Sequence, residues 1–195
     1  MNAAGNGRVL YEGIGSGFQA ELDRLLVVDH PTAGLWFLVE TGLAAQLFPV
    51  LPEMSLEQDP IHRHKDVLTH TFAVVENVRP DANPDFDFRI TRLAALFHDI
   101  GKGTQEDHSE RGAQLITPIA KRIGFSDGDI ATLQFLIKHH LLLSSTATRR
   151  DLDDPATIQS ILDVVPDMQH LELLHALSIA DGEATGKAAW SDWKA

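Results

Sequence analysis

A histidine and an aspartate stand side by side at His98-Asp99, at the end of a run carrying Ile90, Leu93, Ala94, Leu96 and Phe97. Ile100-Gly101-Lys102-Gly103 follows directly. An adjacent imidazole and carboxylate at a buried helix end are costly unless they are paired or bound to a cation. Together they suit Mn, Fe, Zn or Mg, the borderline-to-hard divalent ions. The pair alone is a weak signal, but His70 and Asp181 keep it company on the apolar faces of an earlier and a later helix. The order His, His-Asp, Asp, with each member aimed inward, predicts one metal held by His70, His98, Asp99 and Asp181. Without a cation, four such groups would leave several polar atoms unsatisfied. A second metal would take His108 and one or both of His139 and His140, with Asp99 bridging. Two ions about 3.5–4 Å apart can clamp the attacking and leaving oxygens of a phosphoryl transfer. Blander readings exist for single members. His70 could be a hydrogen-bonded core residue, Asp181 a turn cap before Gly182, and His139-His140 a helix C-terminus favoured by the dipole. His62 and His64 sit in a charged stretch and are expected at the surface.

Lys102 is placed to neutralise charge developing on phosphoryl oxygens. Arg149-Arg150 is the strongest basic pair in the chain and could grip a phosphate bidentately. A solvated pair matched to Asp151, Asp153 and Asp154 fits the same charge pattern. His108, His139 or His140 could instead serve as general acid for the leaving group.

The elements that must position these groups are helical nearly throughout. Residues 1–18 alternate glycines at Gly13, Gly15 and Gly17 and read as a flexible N-terminal segment, with 19–195 a single domain. Leu22, Leu25 and Leu26 suggest a short helix interrupted by His30-Pro31; residues 32–41 form another, stopped by Gly42. Pro49 and Pro52 mark a loop reaching to about Asp59-Pro60. Val67, Thr71, Val74, Val75 and Val78 form the stripe of a helix over 64–78, with His70 on it. Residues 88–100 are apolar nearly all round and read as a central helix, stopped by Gly101 and Gly103. A helix over 109–123 follows, kinked at Pro118 and closed by Gly124. Ser126 with Asp129 opens a helix over 127–140, and Asp154-Pro155 caps one containing Ile158, Ile161, Leu162 and Val165. The last runs from about Asp167 to Ala184, with Leu171, Leu174, Ser178 and Asp181 on one face. No strand alternation or internal repeat is visible, so the fold class is all-α.

The balance of 16 basic and 28 acidic residues gives a net charge of −12, which argues against extensive nucleic-acid or anionic-membrane binding. A small basic pocket for one phosphate remains compatible with it. The chain has no cysteine, so any metal must be held by His, Asp or Glu, and ten histidines supply them. No charged start precedes an apolar run, and the longest runs, such as Leu35 to Val39, are far too short to span a bilayer. A cytoplasmic protein is expected.

With its order His70, His98-Asp99, Asp181 the chain resembles the HD superfamily of metal-dependent phosphohydrolases, which implies an HD-domain helical bundle. Residues 98–195 resemble the HD region of bacterial bifunctional uridylyltransferase/uridylyl-removing enzymes, which modify the nitrogen-regulatory PII protein. The carrying stretches are His98-Asp-Ile-Gly-Lys-Gly103, Asp107-His-Ser-Glu-Arg-Gly-Ala113, His139-His-Leu-Leu-Leu143, Ala147-Thr-Arg-Arg-Asp-Leu-Asp-Asp-Pro155, Ala180-Asp-Gly-Glu-Ala-Thr-Gly186 and Trp190-Ser-Asp-Trp-Lys-Ala195. Residues 30–97 look instead like the HD region of bacterial tRNA nucleotidyltransferases, through Thr41-Gly-Leu43, Phe48-Pro-Val-Leu-Pro52, His62-Arg-His-Lys-Asp-Val67 and Thr69-His70-Thr71. Arg92 to Lys102 fits both, so the chain reads as a junction of two related halves, as in a chimera.

The resemblance implies a hydrolytic activity with one or two divalent metal ions (Mn, Mg, Fe or Zn), releasing UMP from a tyrosine ester on a PII-like protein. Two other functions stay open at this point. One is a phosphodiesterase or phosphatase acting on 2′,3′-cyclic phosphates, nucleotides or RNA ends. The other is a catalytically silent module that binds metal or nucleotide.

Overall fold

The computed structural model describes residues 15–55, 66–103 and 106–186. Among these residues every regular element is a helix: α1 (Gly15–Val27), α2 (Thr32–Glu40), α3 (Leu43–Leu47), α4 (Val50–Glu53), α5 (Val67–Asn77), α6 (Phe88–Phe97), α7 (His108–Ile123), α8 (Asp127–His139), α9 (Leu142–Arg149), α10 (Pro155–Leu162) and α11 (Met168–Thr185). The expected all-α class holds.

Much of the acidity is spent on starting helices. The side chains of Asp66, Asp87, Asp107, Asp154 and Asp167 each accept a backbone N–H from the first turn of the helix they precede. Ser126 does the same for α8 through Asp129 N. Each such cap contributes about 1 kcal/mol and fixes where the chain turns into the helix. Gly124 closes α7 in the left-handed conformation at φ 104°.

The helix α6 is the axis of the domain. Every residue from Ile90 to Phe97 is buried, and α5, α8, α11 and α1 pack around it. Phe72, Leu93, Leu96, Phe97, Leu133, Leu136, Leu174 and Leu177 make the shared core. Fully burying each such side chain contributes about 1.5–3 kcal/mol. Toward the start of α6, Arg89 bridges Asp129 at the head of α8 at 2.8 Å and Asp23 of α1 at 3.5 Å. These contacts set α6 in place, so the residues just past its C-terminus arrive at a defined point between α5, α7, α8 and α11.

Several element boundaries differ from the sequence reading. The first helix starts at Gly15, inside the segment read as flexible, because Phe18 and Leu22 find the core. A short helix, α4, occupies part of the expected loop and buries Leu51, and another, α3, precedes it and buries Ala44. The helix α9 was not foreseen; its serines and threonines turn their hydroxyls back onto carbonyls of the same segment and so tolerate helical backbone. The helix α7 runs through Pro118 without interruption. His62 and His64 lie outside the described residues.

Candidate metal centre

Five helices deliver side chains to one buried point. His70 projects from the middle of α5, His98 and Asp99 follow α6, His108 begins α7, His140 follows α8, and Asp181 lies on α11. Each is where a helix must end or face the core. His70 and Asp181 lie on buried faces, whereas His98-Asp99 and His140 stand where α6 and α8 have just stopped.

Two ligand sets result. His70, His98 and Asp181 each offer an atom within 4.8 Å of the others, and so do Asp99, His108 and His140. Asp99 joins them. Its Oδ2 is 3.3 Å from His98 Nε2 and 3.9 Å from His70 Nε2. Its Oδ1 is 3.9 Å from Nε2 of both His108 and His140. One carboxylate therefore shows one oxygen to each set. His70 Nε2 is also 3.0 Å from Asp181 Oδ1.

The imidazoles are oriented from behind. Nδ1 of His98 is 2.8 Å from the Ala95 carbonyl, and Nδ1 of His140 is 2.7 Å from the Ile137 carbonyl. A carbonyl can only accept, so both Nδ1 atoms donate and both Nε2 atoms face the centre. This is the backing that metal-ligating histidines need. Ser178 of α11 also reaches the His140 carbonyl at 3.4 Å.

His98 Nε2 and Asp99 Oδ2 are buried and make no hydrogen bond. Lys102 Nζ lies 2.6 Å from Asp99 Oδ2, an ion pair outside hydrogen-bond alignment. Buried polar atoms are rarely left in this condition. A donor set of imidazoles and carboxylates converging on orphaned atoms fits a divalent cation of the Mn, Fe, Zn or Mg group.

The carboxylates draw positive charge to the centre, which without an ion is a proton on His98. Burial disfavours charge on His98, but the Asp99 carboxylate beside it prevails and raises the imidazole to about 9. Burial works against the Asp99 charge too, yet His98, Lys102 and His140 hold that carboxyl well below the usual range. Burial, then the positive His98 alongside, lowers His140 to about 4 and keeps it neutral. Asp181 is lowered by His70 and His98 against the opposing effect of burial.

Of the described histidines singled out from sequence as ligands, His139 is the one placed elsewhere. Its ring packs on Phe135 with centroids 4.9 Å apart, and it belongs to neither ligand set. The reason is helical rotation: successive residues point about 100° apart, so His139 and His140 cannot both face inward. Lys102 stands at the mouth of the site, partly exposed. Arg149 and Arg150 are both exposed. Arg149 lines a cavity that also contains Asp181, whereas Arg150 is not part of it. Two of the three acids expected to match them serve the backbone: Asp151 accepts from Asp153 N, and Asp154 from Ala156 N.

Gly101 has a role that sequence reading missed. A Cβ there would sit 2.0 Å from the His108 carbonyl oxygen and 2.8 Å from Gly112 N. The turn after Asp99 thus lies against the first turns of α7, which brings His108 to Asp99. Its place two residues after the His-Asp pair was the available signal.

Comparison with known proteins matches residues 67–181 to the HD domain family. The chain is 44% identical over 183 residues to the bifunctional uridylyltransferase/uridylyl-removing enzyme of Mycobacterium tuberculosis, covering 91% of this chain and 23% of that protein. It is 41% identical to the Streptomyces coelicolor protein of the same name over 182 residues, 89% of this chain and 21% of that one. The chain spans about a fifth of the length of these relatives. The Mycobacterium tuberculosis relative aligns on both sides of His98-Asp99. The matched region runs from the first turn of α5 to Asp181 and takes in both ligand sets, and the chain belongs to the HD domain family.

Proposed function

We propose that this chain is a metal-dependent phosphodiesterase that hydrolyses a nucleotidyl ester, releasing UMP from a uridylylated tyrosine on a PII-like protein. The observation that carries the reading is Asp99, buried with one oxygen toward each of two imidazole-containing ligand sets. The names of the relatives include uridylyl removal, and the HD-domain match over residues 67–181 contains both sets.

In this reading His70, His98, Asp99 and Asp181 hold one divalent ion, and Asp99, His108 and His140 a second. Such ions supply a water of lowered pKa and positive charge for a phosphoryl oxygen. The protein's own residues do the rest. Lys102, an ammonium at the mouth, faces the non-bridging phosphoryl oxygens and stabilises their growing charge. Arg149, across the adjoining cavity from Asp181, holds the phosphate. Water adds to phosphorus, the bond from phosphorus to the tyrosyl oxygen breaks, and the phenolate takes a proton from solvent. The products are UMP and an unmodified tyrosine.

The test is metal analysis of the purified chain with turnover of uridine 5′-p-nitrophenyl phosphate and of a uridylyl-tyrosine peptide. Turnover should vanish on chelation and return with Mn or Mg. Bound metal without hydrolysis of any phosphoester would overturn the reading. A preference for 2′,3′-cyclic phosphates over the tyrosine ester would overturn the substrate.

No helix among the described residues is long and apolar enough to cross a membrane.

A further inference from the structure

Half of the exposed large hydrophobic residues among those described lie in one stretch: Leu152, Ile158, Leu162, Val164 and Met168. Leu162 is 60% exposed and Met168 67%. Ile158, Ile161 and Leu162 are three and four residues apart and form one stripe on α10. Ile161 and Met168 also line the cavity between α9, α10 and α11, so the stripe runs on from that cavity's edge. The helix packs on α9 and buries only Thr157 fully. An apolar patch of this kind, edged by polar residues, marks a place where another element docks.

The edge is acidic. Asp151, Asp153, Asp154, Asp163 and Asp167 are all exposed around the stripe. Over residues 151–186 there are eight carboxylates and no lysine or arginine. A second copy of this chain would set the same acids against each other, and an anionic surface would be repelled. The occupant that fits is aromatic or aliphatic, with a cation on either side.

The chain itself supplies one. The helix α11 stops at Gly186, and Thr185 lines the same cavity as Ile161. Residues 187–195 lie outside the described residues. They read Lys-Ala-Ala-Trp-Ser-Asp-Trp-Lys-Ala, with Lys187 and Lys194 outside Trp190 and Trp193. Extended chain reaches about 3.5 Å per residue, so Trp190 can lie about 14 Å from Gly186 and Trp193 about 25 Å. The eight residues of α10 are about 12 Å long, within that reach. Tryptophan is also the side chain that gains most from covering an aliphatic surface.

We propose that the exposed face of α10 is the docking surface of residues 187–195: Trp190 and Trp193 cover the stripe from Ile158 to Leu162, and Lys187 and Lys194 meet the acidic edge. Docking ties α10 directly to the end of α11, the helix that carries Asp181. The proposal does not depend on the phosphodiesterase reading.

The chain has no cysteine, so Leu162→Cys combined with Ser191→Cys creates a single possible disulfide. Mild oxidation should close it within one chain. The same treatment of Gln114→Cys, on α7, with Ser191→Cys should not. A bond between two chains, seen as a dimer on a non-reducing gel, would overturn the proposal in favour of a second copy. No closure at position 162, or equal closure at both positions, would overturn it outright. A second measurement uses fluorescence. The chain has three tryptophans, and Trp36→Phe leaves Trp190 and Trp193 to report. Acrylamide quenching is compared between that chain, the same chain with Ile158→Asp, and the free peptide of residues 187–195. Ile158 is exposed, so the change leaves the core alone. The ratio of docked to undocked segment should fall about tenfold, the effect of losing one apolar side chain from a contact, and quenching should rise toward that of the peptide. Quenching equal to the peptide's before Ile158 is changed, or unaltered by the change, would overturn the docking.

Discussion

In the middle of α6 Arg92 is 2% exposed, and just past its end Asp99 is 1% exposed. Arg92 spends its charge on backbone. Its terminal nitrogens reach the carbonyls of Leu26 at 2.6 Å, Val78 at 3.3 Å and Val28, and it lies over the Phe88 ring with 4.3 Å to the centroid. It ties the ends of α1 and α5 to α6. Asp99 has Lys102 as its nearest charged neighbour, yet it leaves Oδ2 without a hydrogen bond, beside a His98 Nε2 in the same state. Arg92 Nε also lacks a hydrogen bond, but the terminal nitrogens of Arg92 end on carbonyls, whereas the orphaned atoms of Asp99 and His98 face each other across a shared point, so the two buried charges have different accounts. A buried charge whose partners are helix-end carbonyls holds the fold together. One whose unfilled valences converge with others on a common point gives up stability for a site.

The largest effect that could break this contrast is at Asp99. Asp99→Ala should lower phosphodiester turnover at least about a thousandfold, since it removes ligands from both sets. Metal bound per chain, measured by atomic emission, should fall with it, while the helical circular-dichroism signal persists. If turnover survives, Asp99 is as structural as Arg92.

Arg92→Leu should do the converse. It strands three carbonyls and should cost about 3 kcal/mol in urea unfolding, with kcat of the folded protein retained. A loss of kcat without a loss of stability would erase the distinction.

Gly101→Ala sharpens the picture within the site. Its Cβ cannot coexist with the His108 carbonyl at 2.0 Å, so α7 must move back from Asp99. Calorimetric Mn titration should show the second binding step weakened about tenfold, in the range seen when groups supporting a ligand are disturbed, with the first step spared. Equal weakening of both would mean that the two sets do not act separately.

The smallest effect is at His139. His139→Ala removes a ring stacked on Phe135 and should change unfolding free energy by less than about 1 kcal/mol, with turnover unaltered. His140→Ala, one residue on, should abolish turnover. If the two exchange roles, the facing of the α8 terminus is other than described.

The residues that converge on the candidate centre were legible because their chemistry contrasts with their surroundings. A histidine on the Val67–Val78 stripe and a His-Asp pair ending an all-apolar helix are conspicuous in a pattern that otherwise obeys burial. The main helices were legible for the same reason, and the caps at Ser126 and Asp154 marked where two of them begin. The helix α9 was not, because its Ser-Ser-Thr-Ala-Thr stretch has weak helix preference and is held by packing on α11 and α10.

Residue types and periodicity thus determined that the chain is helical, that imidazoles and carboxylates face its core, and that no thiolate takes part. Tertiary structure alone decided how they combine. Only the crossing of α5, α7, α8 and α11 over the end of α6 divides the ligands into two sets, gives each set one oxygen of Asp99, and turns His139 away. The physical reason is that local pattern governs which face of a helix is buried, whereas the point a side chain reaches depends on how neighbouring helices pack. Gly101 shows the limit most directly: its need for close approach is set by a carbonyl seven residues away, on another helix.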